Sequence, residues 1–473
     1  MGKNFIIGTL LVALVALGFW RAGEMAPLPA GKAEPSLAME SGGKIDVALP
    51  ALDAVFQEIE EDPALANAAF GFCLLDSKGG MLAGRNEKTP MIPASTLKTL
   101  TVAGALETLG EDFRFETVVE AEGDPGQAHL ETVVIRGGGD PTLAMETLEK
   151  WAGEMQARGV KSMGQVLADA SIFPTPTVGD FWGWGDVGNA YGSPVAGLNL
   201  NHNRFRAAFA PGKVGDAARF IGAVPEVPGV TWENGIKTGP AGSGDGVMIY
   251  GGPDAGMIRL TGTVPAGVER FEVGGAVPDP ARFTAFHFDR LLRERGITIS
   301  RPPMAGSATG LRRWMSHRSA SLLEISRHLQ ATSDNHEAEC FFRMMGVKGG
   351  GDAAVVLRQH WEARGLNLGS CRIVDGSGLS RANYLPAETL ATLQFLATTG
   401  PVGGGYRSGL NPAHGGRVKW KGGAMSAVRC YTGLVTMAGG REGYFAMMFN
   451  HYPDGAAVEK HVAALVRAMT GDQ

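Results

Sequence analysis

Apolar and polar positions alternate along this chain in two rhythms, one helical and one strand-like, and the places where they change outline its organisation. Leu97, Leu100, Ala103, Leu106 and Leu109 return near the helical period and stop at Gly110, which predicts a helix entered at Ser95. Helical spacing also marks 45–61, 280–295, 321–329, 336–345, 456–469 and a segment after Pro386 that carries Leu390, Leu393 and Leu396 on one side. Continuous apolar runs at 68–75, 428–437 and 444–450 predict strands, with a short strand at 81–84 beyond the Lys78-Gly79-Gly80 turn. Between 113 and 279 the signals become strands separated by glycine-rich turns. The economical arrangement is an α/β (α+β) domain, with an antiparallel sheet drawing strands from both chain ends and helices against it. The expected division is a domain of 45–112 and 280–473, interrupted by a large, mainly β insertion over 113–279 in one or two subdomains.

The N-terminus adds a destination. Lys3 precedes an apolar run over 5–20 that ends at Arg21, and a Gly/Pro/Ala-rich stretch follows to about residue 43. That layout predicts a signal peptide over 1–22, or a membrane anchor, because the run lies between the lengths of the two, with a linker over 23–44. Either places the rest of the chain in the periplasm or another extracytoplasmic space, the anchor adding membrane association.

Composition narrows the class. A chain of 473 residues with 44% apolar and 19% charged residues is globular and too long for one ordinary core. Its net charge of -5 provides no basic excess for a nucleic acid, so no such partner is expected. Four cysteines, Cys73, Cys340, Cys371 and Cys430, allow two disulfides in three pairings, or four buried thiols; both readings stay open.

Candidate chemistry begins at Ser95-Thr96-Leu97-Lys98. Residues three apart share a helix face, so the lysine amine can stand beside the serine hydroxyl and take its proton if its own pKa is lowered. A chain of this length carries roughly one such pair by chance. Ser333-Asp334-Asn335 lies between two helical segments, and Lys421-Gly422-Gly423 lies just ahead of the C-terminal strand pair. The ordered set S-x-x-K, S-D-N and K-x-G belongs to acyl-transfer enzymes with a serine nucleophile. Competing motifs are incomplete. His336 to Cys340 lacks the second histidine of H-E-x-x-H, the glycine clusters have no P-loop lysine, and Ser377 lacks the flanks of a G-x-S-x-G elbow. No metal and no cofactor are expected.

These motifs, with Gly138-Gly139-Asp140-Pro141-Thr142-Leu143, Trp182 and Trp184, Tyr191-Gly192-Ser193-Pro194-Val195, Leu198-Asn199-Leu200-Asn201 and Asp375-Gly376-Ser377-Gly378-Leu379-Ser380-Arg381, make the chain resemble the class C low-molecular-mass penicillin-binding proteins. This is the D-alanyl-D-alanine carboxypeptidase/endopeptidase family, S13. The resemblance covers nearly everything after the linker, and the long gap from Ser95 to Ser333 fits that family's insertion. It implies a serine transpeptidase/β-lactamase-like fold and β-lactam-sensitive cleavage of peptidoglycan muropeptides. By resemblance, Ser95 attacks the carbonyl between two terminal D-alanines, Lys98 is its base, Ser333 relays the proton, Asn335 holds the acyl-side amide and Lys421 supplies positive charge. The backbone N–H groups of Ser95 and Ala424 form the oxyanion hole, and the strand from Lys421 through Gly422 and Gly423 pairs with substrate. Asp140, Arg381, Met425 and Ser426 match the residues that hold a meso-diaminopimelate side chain.

The chain departs from the family at one point. The usual K-T-G-T is Lys421-Gly422-Gly423-Ala424 here, without the two hydroxyls that bond the substrate's terminal carboxylate. Water or Ser426 can replace them, or the enzyme can favour internal crosslinks as an endopeptidase. The alternative is a catalytically weakened protein of the same fold that binds peptidoglycan or assists wall assembly. β-Lactam hydrolysis as the main activity is disfavoured by the insertion and by the absence of a recognisable deacylating glutamate.

Overall fold

Strand β1 (Ala69–Leu75) is buried along almost its whole length because helices cover both faces of the sheet it joins. Its side chains alternate: Phe70, Phe72 and Leu74 enter one core, while Cys73 and Leu75 enter the other. This two-sided burial explains the unbroken apolar run in its sequence. In this computed structural model, residues 50–123 and 126–471 are described; the leader and linker expected over 1–44 lie outside them.

The central sheet has the order β15 (Asn411–Ala413), β16 (Val418–Met425), β17 (Val428–Thr436), β18 (Glu442–Asn450), β1 and β2 (Met81–Arg85). Every neighbouring pair is antiparallel. Strands from the two chain ends thus meet, as the sequence pattern predicts. Helices α1 (Pro50–Glu61) and α10 (Gly455–Thr470) close one face. On the other lies α2 (Lys98–Leu109), with α5 (Leu322–Thr332), α6 (Asn335–Gly349), α7 (Ala353–Ala363) and α8 (Ala387–Thr399) around it. Every residue of α2 from Lys98 to Leu106 is buried, so this helix is internal rather than one-sided. Gly104 allows α7 to approach it, since a Cβ there would stand 2.7 Å from Leu357 Cδ1. The buried Lys98 follows from that position.

The insertion carries a second core. Its sheets are β8-β10-β9, β11-β6-β7 and the set β12-β5-β4-β3-β14, with β13 also on β5. Here β3 is Glu116–Ala121, β4 His129–Arg136, β5 Ser162–Asp169, β6 Arg204–Ala210, β7 Arg219–Val224, β8 Thr231–Gly239, β9 Gly246–Tyr250, β10 Met257–Pro265, β11 Phe271–Ala276, β12 Thr298–Ile299, β13 Met304–Ala305 and β14 Arg312–Arg318, and α3 (Met145–Ala157) packs in the same core. The expected return to the first domain at Pro280 needs correction. Helix α4 (Pro280–Glu294) places Phe283, Phe288 and Leu292 in the second core, and β14 pairs antiparallel with β3. Residues 280–318 therefore pack with the insertion, and the chain rejoins the first core at α5.

Candidate active site

Ser95 sits in a 3-10 turn, Ala94–Leu97, that runs directly into α2. Ala94 holds a left-handed φ of 47°, and Gly378 packs on it so closely that a Cβ would meet the Ala94 carbonyl oxygen at 1.9 Å. The turn leaves Ser95 partly exposed above a fully buried Lys98.

Lys98 Nζ has three neighbours: Ser95 Oγ at 2.8 Å, Asn335 Oδ1 at 2.6 Å and the Ser377 carbonyl oxygen at 2.7 Å. The last two can only accept. Asn335 is oriented by its other end, because its Nδ2 donates to the Tyr191 carbonyl at 2.8 Å. A neutral amine has two N–H groups and one lone pair. With both N–H groups given to the two obligate acceptors, the lone pair is left for the Ser95 hydroxyl. Burial lowers the Lys98 pKa to about 8, although Asp375, Asp334 and Glu339 pull it upward, so the neutral amine is accessible near neutrality.

Ser333 is the C-cap of α5, at φ 60° and ψ 36°. A residue other than glycine in this conformation costs roughly 1 kcal/mol or more, so its surroundings must hold it there. The next residue, Asp334, caps the start of α6 and receives both guanidinium arms of Arg204 from β6, at 2.7 and 3.1 Å. Burial alone would raise the Asp334 pKa, but Arg204 outweighs it and holds the carboxylate below its usual range. Lys421 Nζ stands 2.8 Å from Ser333 Oγ and donates to the Gly422 carbonyl. Burial, then the charge of Lys98, lowers the Lys421 pKa to about 7.

Strand β16 forms the cleft's second wall. β15 pairs with it only through Trp420, which leaves the edge beyond Lys421 without a strand partner among the described residues. Tyr431 lies opposite Gly422 on β17, and a Cβ on Gly422 would come 3.3 Å from its ring. Ala424 is exposed to the cleft.

The cleft measures about 430 Å³ and is lined by Ser95, Ser333, Asn335, Arg381, Ala424, Met425 and Ser426, all expected, together with Asp186, Tyr191, Gly378 and Leu379. Lys98 and Lys421 are buried behind this wall. The sequence between residues 52 and 470 matches the D-Ala-D-Ala carboxypeptidase 3 (S13) family. The chain belongs to that family. It is 29% identical to the D-alanyl-D-alanine carboxypeptidase of Actinomadura sp. (strain R39) over 95% of this chain and 90% of that one. It is 25% identical to the D-alanyl-D-alanine carboxypeptidase DacB of Haemophilus influenzae, over 79% of this chain and 84% of the relative. The crystal structure of penicillin binding protein 4 (dacB) from Haemophilus influenzae shares the fold, with a TM-score of 0.76 at 20% identity over 89% of this chain and 98% of that one.

In this S13 chain the structure does not bring Asp140 to the cleft. Asp140 is 1% exposed, and its Oδ1 accepts from Thr142 N at 2.8 Å and Thr142 Oγ1 at 2.7 Å. It fixes a turn, and burial raises its pKa. The carboxylate on the cleft wall is Asp186, facing the same space as Arg381. Its signal in the sequence is isolation, as the one Asp, Glu, Lys or Arg between 181 and 203. Sequence reasoning placed Tyr191 in a family motif without a site role; its carbonyl orients Asn335. The four cysteines are free and buried, which favours the thiol reading over the disulfides.

Proposed function

We propose that this S13 chain is a serine D,D-peptidase that cleaves peptidoglycan stem peptides through an acyl-enzyme on Ser95. The observation that carries the reading is the contact of Lys98 Nζ with Ser95 Oγ, in a buried setting where two acceptors use the amine's N–H groups. Lys98 takes the hydroxyl proton as Ser95 Oγ bonds to the carbonyl carbon between the terminal D-alanines. The negative charge that develops on the carbonyl oxygen is met by the N–H groups of Ser95 and Ala424. The C–N bond then breaks, and the leaving amine receives a proton by way of Ser333, with Lys421 beside it. Water releases the acyl group in the second half of the cycle.

The free edge of β16 is suited to pairing with an extended peptide, and Asn335 to the acyl-side amide. A stem side chain that ends in both an ammonium and a carboxylate suits a wall lined by Asp186 and Arg381, beside Met425 and Ser426. β-Lactams present a strained amide to the same serine, so they acylate it; the Haemophilus protein is also known in complex with a β-lactam. The substrate lies outside the cytoplasm, and the segment over 1–22 serves as export signal or anchor. Among the described residues no helix is long and apolar enough to cross a membrane. A wall-binding protein without catalysis is the weaker reading, since nothing in such a role calls for a buried lysine against a serine.

Digestion of purified crosslinked muropeptides, with identification of products, tests the reading beside Ser95→Ala. Release of D-alanine or of uncrosslinked monomers by the wild type alone supports it. A labelled penicillin that marks Ser95→Ala as well as the wild type would overturn it.

A further inference from the structure

Glu339 is a buried carboxylate that the steps above do not use. It projects from α6, one turn beyond Asn335, and is 3% exposed. Its Oε1 accepts two backbone hydrogen bonds, from Gly376 N at 2.9 Å and Ser377 N at 2.7 Å. The Ser377 carbonyl is one of the two acceptors on Lys98. The same loop is pinned from its other side, where Asp375 Oδ1 accepts from Gly378 N at 2.8 Å and Thr101 Oγ1 donates to the Gly376 carbonyl at 2.7 Å. The Ser377–Gly378 peptide unit therefore has its N–H on Asp375 and its C=O on Lys98, while Glu339 holds the two N–H groups ahead of it.

A cavity of about 410 Å³ reaches Glu339, and Ser95 is not among its lining residues. Pro174, Pro176, Phe342, Arg343 and Val374 line it with Glu339, and the Arg343 guanidinium is occupied by the carbonyls of Pro174 and Pro176 at 2.9 and 2.8 Å. A small solute thus has room beside the carboxylate.

We infer that Glu339 is a positioning residue for acylation: by fixing Gly376 and Ser377 it aims the Ser377 carbonyl at Lys98, and so turns the amine's lone pair toward Ser95. The inference rests on the proposed roles of Ser95 and Lys98. Its physical basis is that charge-assisted hydrogen bonds are about twice as strong as neutral ones and fix direction. Loss of the carboxylate frees the loop to rotate its carbonyl away, and Lys98 then spends its lone pair without preference for the serine.

Chemical rescue tests this. Burial and then the Asp375 charge raise the Glu339 carboxyl above its usual range, so acylation is compared at pH 8, toward the ionised side. Glu339→Ala should be acylated by a labelled penicillin about tenfold or more slowly than wild type, through the maximal rate rather than the half-saturating concentration. Sodium formate should restore part of that rate through the cavity, and sodium chloride at equal ionic strength should not. Should the alanine variant fail to fold, Glu339→Gln, which keeps an acceptor oxygen but no charge, should be several-fold slow with an unchanged melting temperature. Wild-type rates in the alanine or glutamine variant, or an alanine variant that formate leaves unrestored, would overturn the inference. Failure of the wild type itself to be labelled would instead sink the assignment of Ser95.

Discussion

A Cβ on Gly423 would stand 2.8 Å from the backbone nitrogen of Ser95 and 2.9 Å from both Pro93 O and Thr96 N. All three atoms are backbone, so none can swing aside. Strand β16 and the nucleophile's turn are in contact through that glycine, and their separation sets the spacing of the Ser95 and Ala424 N–H groups that we propose meet the oxyanion.

Gly423→Ala is therefore expected to fold while losing acylation. Shifts of about 1 Å in reacting geometry cost on the order of 10²-fold in rate. Stopped-flow acylation with a chromogenic β-lactam reads this directly, and a wild-type rate would show that the turn yields more easily than its backbone contacts imply.

A pH dependence follows from the buried Lys98. With Lys98 as the proposed base, the acylation rate should climb as pH rises through about 8, where that amine loses its proton, and level off above. The sign for stability is the same. A lysine whose folded pKa lies below its unfolded value binds fewer protons when folded, so the protein gains stability as pH rises from about 8 toward the ordinary lysine value of 10.5. Lys98→Met should abolish acylation and remove that part of the slope, measured by urea unfolding at pH 7 to 10. An unaltered slope would assign it to other groups.

Much of this was legible from sequence. Ser95, Lys98, Ser333, Asn335 and Lys421, singled out by residue type and local context (helix start, interhelical turn, strand edge), stand together in the fold, Lys98 against Ser95 and Asn335 and Lys421 against Ser333. The strands of the central sheet were readable too, since two-sided burial forces continuous apolar runs in Ala69–Leu75 and Glu442–Asn450. What failed depends on distant packing. Asp140 and Asp186 each follow a glycine, yet the fold buries the first in the Thr142 turn and leaves the second on the cleft wall. The α4 amphipathic pattern identifies a helix without saying which core receives it, and β14 finds β3 across nearly two hundred residues.

The Arg204–Asp334 pair ties the insertion to the S-D-N turn. Removing one partner of a buried ion pair leaves an uncompensated charge and typically costs about 3–5 kcal/mol. Arg204→Met should lower stability by that order and slow acylation, and Asp334→Asn added to it should recover most of the stability, because asparagine still caps a helix. Additive losses in the double variant would deny the coupling. The carboxylate's contribution is present above its unfolded pKa and fades as pH falls through the lower folded value, so Arg204→Met should flatten the acid side of the stability profile.

Gly422 and Ala424 replace two hydroxyl-bearing residues of the family's usual motif, but their surroundings differ. A side chain at 422 must displace the Tyr431 ring, itself packed on Trp420 at 4.3 Å, whereas Ala424 already faces the cleft. Ala424→Thr should thus improve acylation by ligands with a free carboxylate, by about 10- to 10²-fold if the new hydroxyl makes a charge-assisted bond worth about 1.5–3 kcal/mol. Gly422→Thr alone should give no gain and lower the melting temperature. Equal gains from both would mean that Tyr431 moves freely.

Asp186 and Arg381 line one cleft with opposite charge, and Arg381 is steadied by its Nη2 bond to the Ser426 carbonyl at 2.9 Å. A side chain ending in both an ammonium and a carboxylate satisfies the two together. Both groups are partly or fully exposed to solvent, so each contact is discounted to about 1 kcal/mol, several-fold in kcat/KM. Asp186→Asn should lower kcat/KM several-fold for a stem peptide with a free side-chain ammonium and leave its N-acetylated counterpart unaffected, with the change in KM. Asp140→Asn should show no such discrimination, because its carboxylate is closed inside the Thr142 turn. A several-fold loss confined to the free-ammonium peptide in the Asp140 variant alone would return the subsite to that turn and exclude Asp186 from it.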